Sequence, residues 1–303
     1  MLRALLSRKA VFVATILLPI LLLIGLFIYY PAVDTFRTSL TNRNLRINRP
    51  PQFIGLNNYS QLLSDPLFWE VTSRSVIIVL LTLPLEIFMA FWIALLLNER
   101  FRGRSVVRTI MLVPWMVPPV VNGFLWGWLL NGDYGAFNGL LYQLGIIHQY
   151  QAWLSDPRSQ IFWIAIVQTW TRFSFPTLVL LAGLQGIAGD LYEAARVDGA
   201  NAFQSLRRIT FPLLMPSFAI ALVVEFIAAF QIFDVVWTLT AGGSAGGTIN
   251  PFTRTLMIYN YELVFRDLRV GLGAALSYLI LLMSLVVGII FVRRLYNQGI
   301  ADR

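Results

Sequence analysis

Apolar runs of about 18 residues or more recur along this chain, and each is long enough to cross ~30 Å of hydrocarbon as a helix. No feature constrains the fold more. A backbone placed in lipid must satisfy its own hydrogen bonds, and a run this long does so as a helix. Six such runs are read, at roughly 10–31, 75–97, 106–130, 161–187, 212–236 and 271–292. The composition agrees: 13% of the 303 residues are charged, 57% are hydrophobic and the mean hydropathy is +0.70. A soluble domain carries charge at about 25% of positions. The expected class is an all-α membrane protein, a polytopic bundle of six transmembrane helices forming a single domain over 1–303.

The first run follows Arg3, Arg8 and Lys9, as a signal peptide would. It is too long for a signal's apolar region and ends in "IYYPAV" rather than a small-residue cleavage site, so it is read as a retained helix. With both termini inside, the cytoplasmic pieces hold Arg3, Arg8, Lys9, Arg100, Arg102, Arg104, Arg108, Arg196, Arg207, Arg208, Arg293, Arg294 and Arg303. Their basic residues are about twice as dense as those of the outer pieces, which fixes the orientation despite Arg37, Arg43, Arg46 and Arg49 in the first outer loop. The outer loops carry turn signals in "NRPPQFIGLNNY", "NGDYG" and "TAGGSAGGT".

Several chemistries are excluded. Cysteine is absent, and Lys9 is the sole lysine. Disulfides, thiolate metal sites and a phosphate-binding G-x-x-x-x-G-K-S/T loop therefore do not exist here. His148, alone in an outer loop, is a solvated residue, and no metal site is expected. The net charge of +8 comes from arginines at span ends, where they meet lipid headgroups rather than nucleic acid.

Between the fourth and fifth runs lies a charged elbow, 190–211. Asp190 and Glu193 have capping-box spacing and are expected to open a short helix through Asp198. Gly199 ends it, and Asn201 with Gln204 opens a second helix, with Arg207 and Arg208 near its C-terminus. Pro212 and Pro216 begin the next span. Ala194 and Ala195 offer little bulk, inside a ring of Glu193, Arg196 and Asp198. That is either a docking knob or an amphipathic loop resting on headgroups.

"EAARVDGA", with Ile209 and Pro212 downstream, resembles the EAA loop of binding-protein-dependent ABC transporter permeases. The pattern is E-A-A, three residues, Gly, nine residues, then I-x-L-P. Glu193, Ala194, Ala195, Gly199, Ile209 and Pro212 match, while Phe211 replaces the usual Leu. "FIGLNNYSQLLSDPLFW", "VPWMVPPVVNGFLWGWLL", "NGDYGAFN" and "FDVVWTLTAGGSAGGT" resemble the carbohydrate-uptake branch, in its maltose-permease-like first subunit. The resemblance implies a type I ABC importer permease in a bacterial or archaeal plasma membrane. Its partners would be a second homologous permease, a cytoplasmic ABC ATPase dimer holding ATP and Mg, and an extracytoplasmic solute-binding protein. This chain would carry no cofactor and perform no covalent chemistry. Glu193, Ala194, Ala195, Asp198 and Gly199 would couple it to the ATPase.

Ionisable residues inside spans are costly and point to function; here they are Glu86, Arg172, Glu225 and Asp234. "QTWTRFSFP" places Gln168, Trp170, Thr171, Arg172 and Ser174 in a span broken at Pro176. In "AAFQIFDVVW", Phe230, Gln231 and Asp234 are expected on one helical face. Aromatic faces and hydrogen-bonding groups together suit sugars. By resemblance, the solute path matches Trp115, Pro119, Thr171, Arg172, Phe175, Phe230, Gln231 and Asp234. The alternatives are that Arg172 and Asp234 only neutralise each other, or that Glu86, Glu225 and Asp234 are proton sites of an ion-coupled secondary transporter. A membrane enzyme would need a nucleophile or acid–base pair, and these isolated groups do not form one.

Overall fold

The computed structural model describes residues 8–242 and 250–301. Most of "TAGGSAGGT", with Arg3 and Arg303, lies outside the described residues. The secondary structure is helical, and one isolated bridge joins Thr41 to Phe53. The chain divides into two compact units.

The first unit comprises the chain up to Pro66 together with Asn260–Leu279. Helix α1 (Arg8–Ile24) continues through a wide turn at Gly25–Tyr29 into α2 (Tyr30–Ser39). Pro31 has no N–H to offer the preceding turn, and the wide turn before it absorbs that loss; Tyr30 N–H bonds Gly25 O instead. The most apolar stretch of this helix is not buried by the rest of the chain. The loop after α2 is held to α3 (Asn57–Ser64) by Asn58, whose amide donates to Ser39 O at 2.7 Å and Thr41 O at 2.8 Å. Gly271 faces this loop, and a Cβ there would strike Thr41 O.

The second unit comprises Leu67–Tyr259 and the chain from Ile280 onward. Its helices are α4 (Pro66–Asn98), α5 (Arg104–Met116), α6 (Pro119–Leu129), α7 (Ala136–Gln143), α8 (Pro157–Arg172), α9 (Ser174–Gln185), α10 (Gly189–Val197), α11 (Ala202–Ser205), α12 (Phe211–Phe230), α13 (Asp234–Trp237) and the end of α15. Between α13 and α15 (Val270–Ala301) lies the short α14 (Leu256–Tyr261). Among the described residues, four helical stretches are long and apolar enough to cross a membrane, and two bent pairs bring the number to six if each pair is one crossing.

The bends correct two expectations. The run 106–130 is not straight: α5 and α6 meet at 94°. Val117 precedes Pro118, which disfavours helical backbone, and both are extended (ψ 128° and 137°). Pro119 then restarts the helix where its missing N–H costs nothing. Asn122, buried at the break, donates to Pro114 O at 3.0 Å and Val117 O at 3.3 Å, occupying carbonyls that the bend orphans. In the run 161–187, α8 and α9 meet at 47° across Phe173, ahead of Pro176 rather than at it. Pro176 stands in the first turn of α9 and cannot donate to Arg172 O, so the break falls three residues earlier, at Phe173.

Two cores hold the unit. One gathers Ile78, Ile164, Val167, Ile232, Val235 and Val236; the other gathers Ala90, Ala94, Met111, Leu180, Leu184, Leu214 and Phe218. Small residues set the close approaches, as they do where lipid supplies no hydrophobic drive between helices. A Cβ on Gly123 would collide with Thr238, and one on Gly183 with Ser217 and Leu214.

Candidate functional site

The elbow is built from local capping chemistry. Its first helix, α10, is capped by Ala188 in extended conformation, with no side-chain bond. Asp190 is therefore not the cap that its spacing suggested. The chain enters two residues earlier, and Asp190 lies within the first turn, where its charge still favours the helix dipole. The exit is as expected. Gly199 has φ +78°, Ala200 N–H donates to Ala195 O at 2.8 Å and Gly199 N–H to Arg196 O at 3.1 Å. This is a Schellman termination, which glycine adopts without strain. Asn201 and Gln204 form the reciprocal capping box, each side chain accepting from the other's backbone N–H at 2.9 Å.

The second helix does not stop after Arg208. It runs from α11 through a wide turn at Leu206–Thr210 directly into α12. Phe211 N–H reaches back to Leu206 O, and the extra residue in that turn accommodates Pro212, which lacks a donor. Arg207 and Arg208 are thus exposed mid-helix, with no C-terminal dipole to hold them.

The elbow's surface is open. Glu193 and Arg196 pair loosely at 4.0 Å while both stay mostly exposed. Val197 is 88% exposed, Phe203 68% and Leu191 46%. Ala194 is exposed and Ala195 half-buried. Beneath, Tyr192 Oη and Thr210 Oγ1 share a hydrogen bond of 2.9 Å, fastening α10 to the root of α12. Apolar side chains this exposed, on an element held by a Schellman turn and a capping box, form a surface suited to a protein partner.

A second feature lies where both broken helices come together. A recess of about 270 Å³ is lined by Pro119, Gln168, Thr171, Arg172, Gln231 and Asp234, among others. Five of the eight path residues are brought together here: Pro119, Thr171, Arg172, Gln231 and Asp234. Trp115 and Phe175 lie outside it as a pair, with ring centroids 6.3 Å apart. Phe230 lines a separate apolar groove and stacks on Phe226 at 5.5 Å. The expected shared face of Phe230 and Asp234 does not exist. Helix α12 ends at Phe230, the chain breaks at Gln231 and Phe233 (φ −99° and −128°), and Asp234 opens α13. The break turns Gln231 and Asp234 into the recess wall while Phe230 stays with the preceding helix.

Arg172 does not pair with Asp234 among the described residues. Its Nε donates to Glu225 Oε2 at 3.0 Å and its Nη2 to Oε1 at 3.4 Å. The Glu225 side chain is wholly buried and Arg172 is 25% exposed, so the pair joins the bundle interior to the recess. Behind it, Glu86 is also wholly buried, and neither of its oxygens has a hydrogen-bond partner among the described residues. Glu225 and Arg172 are the charged groups that act on it. No group of three or more His, Cys, Asp or Glu residues able to hold a metal occurs among the described residues.

Comparison with known proteins matches residues 86–302 to the family of binding-protein-dependent transport system inner membrane components. The chain is 37% identical to the trehalose/maltose transport system permease protein MalF of Thermococcus litoralis, over 94% of each chain. It is 35% identical to the sulfoquinovosyl glycerol transport system permease protein SmoG of Agrobacterium fabrum, over 92% of this chain and 88% of that one. In fold it resembles a chain from the crystal structure of a bacterial ABC transporter involved in the import of the acidic polysaccharide alginate, with a TM-score of 0.79, 23% identity and 96% of each chain covered. A polytopic helical fold, a capped EAA elbow and a family match over most of the chain agree: the protein belongs to the binding-protein-dependent transport system inner membrane components, the permeases of ABC importers.

Proposed function

We propose that this chain forms one half of the membrane path of an ATP-driven importer for a carbohydrate or closely related solute. An outer solute-binding protein delivers the solute. A second, homologous permease completes the path, and a cytoplasmic ATPase dimer, holding ATP and Mg, drives it. The elbow 190–211 seats in that ATPase, with Glu193, Ala194, Ala195, Asp198 and Gly199 at the contact and both termini on the same side of the membrane. The recess at Arg172 belongs to the solute path, and transport is a change between two bundle arrangements driven by differential contacts in each.

The observation that carries this reading is the elbow. It is held by a Schellman turn and a capping box and left uncovered by the described residues, and it exposes Val197, Phe203 and Leu191 beside its charged ring. A loop serving only to connect two spans gains nothing from such termination or from bare apolar side chains. The relatives with sugar-transport names support the carbohydrate class, and the mixture of amide, hydroxyl and charged groups around the recess supports the path.

The test is uptake of labelled trehalose or maltose by proteoliposomes holding both permeases, the ATPase and the binding protein. Uptake is expected to require internal ATP and the binding protein, and to survive a protonophore. Uptake that proceeds without ATP and collapses with the proton gradient would overturn the proposal in favour of an ion-coupled carrier.

A further inference from the structure

Arg172, the one cation in the wall of the recess among the described residues, is already matched from behind. Glu225 takes Arg172 side-on, through Nε and one Nη2 hydrogen, and is itself wholly buried. We infer that Glu225 is the positioning residue that makes this recess accept uncharged polyhydroxylated solutes and reject anionic ones. This inference rests on the reading of the recess as solute path.

Two independent features lead to it. The first is geometric. A guanidinium recognises phosphate, sulfonate or carboxylate best through a two-bond fork. The side-on fork of Arg172 is occupied by Glu225, which leaves the end-on Nη1 and Nη2 hydrogens on a guanidinium whose charge is already matched. Those hydrogens can bond hydroxyl groups, as can the amides of Gln168 and Gln231 and the acceptor oxygens of Asp234 around the same recess.

The second is the charge total. Arg172 brings +1, Glu225 brings −1 and Asp234 brings −1, so the charged groups at the recess sum to −1. Among the described residues, no lysine, histidine or second arginine lines the recess. An anionic solute entering this low-dielectric wall meets net repulsion, whereas a neutral sugar loses nothing by it.

The experiment measures binding of labelled trehalose and labelled trehalose 6-phosphate, by equilibrium dialysis, to the purified permease assembly in nanodiscs without binding protein. Omitting the binding protein leaves the permease as the only selecting element. Wild type is expected to bind the neutral sugar and to discriminate strongly against the phosphate ester. Glu225→Gln keeps the shape and one acceptor but frees the arginine charge, and the ratio of the two affinities should move toward the ester by about tenfold or more. The double variant Arg172→Gln with Glu225→Gln restores the acidic balance through Asp234 and should restore discrimination.

An equal loss of both probes in Glu225→Gln, or an unchanged ratio, refutes the role of Glu225 while leaving the path reading intact. Should the single variant fail to assemble, the double variant decides: discrimination lost in it refutes the charge argument. Wild type that binds neither probe refutes the path reading itself, and the inference with it.

Discussion

Replacing Gly199 by alanine tests the elbow's construction with a single methyl group. The magnitude follows from two features of the site. A Cβ at Gly199 meets no atom within 4 Å, so packing contributes nothing. The backbone, however, sits at φ +78°, where an L-residue with a Cβ pays roughly 1–2 kcal/mol. That strain loads on the Schellman bonds from Ala200 to Ala195 and from Gly199 to Arg196. Their amides should exchange with solvent roughly 5- to 30-fold faster, since each 1.4 kcal/mol is about tenfold. Hydrogen exchange of the purified complex, read by mass spectrometry over peptides spanning 195–205, measures this. Gly199→Asn should fall between wild type and alanine, because asparagine tolerates the left-handed region. Gly189→Ala is the control. Gly189 starts α10 with ordinary φ and an equally open Cβ position, so the same methyl there should not speed exchange. If Gly199→Ala exchanges no faster than wild type, or if Gly189→Ala matches it, the termination is not what holds the elbow in shape.

Asn201→Ala removes one half of the capping box and should cost about 1 kcal/mol locally, seen as faster exchange at Gln204 with the spans unaffected. Arg172→Met strands the buried Glu225 carboxylate and should destabilise the complex by roughly 3–5 kcal/mol in thermal unfolding, most of it recovered when Glu225→Leu is added. Recovery that fails would show that the pair contributes more than mutual compensation. Gly123→Ala places a methyl group on the Thr238 side chain and should cost about 1–3 kcal/mol by overpacking; Thr238→Ala should relieve part of that loss, because the hydroxyl is the nearest clash.

The elbow was the most legible part of the molecule before any coordinates. Gly199 and the pair Asn201–Gln204 act through bonds spanning at most six residues, so their spacing alone predicts them. Asp190 was misplaced by the same reasoning, because a capping-box spacing does not say where the preceding chain enters the helix. Phe230 failed for a related reason. Four-residue spacing places two side chains on one face only while the helix continues, and "QIF" carries no proline or glycine to announce that it stops. The two prolines after Val117 carry a signal for a break that the reading of 106–130 as one run passed over, and none for its 94° angle, which depends on Asn122 being able to reach the orphaned carbonyls.

By itself, the sequence determined the class of fold and the position of the elbow, since both follow from run length and local capping. Tertiary structure decided which charges meet. Arg172 found Glu225, 53 residues away on another helix, and left Asp234 to the recess. The spans are apolar nearly all round, so their periodicity does not distinguish a face turned to lipid from one turned to a neighbouring helix. The partner of a buried charge is therefore chosen by how the helices pack, which no one span encodes.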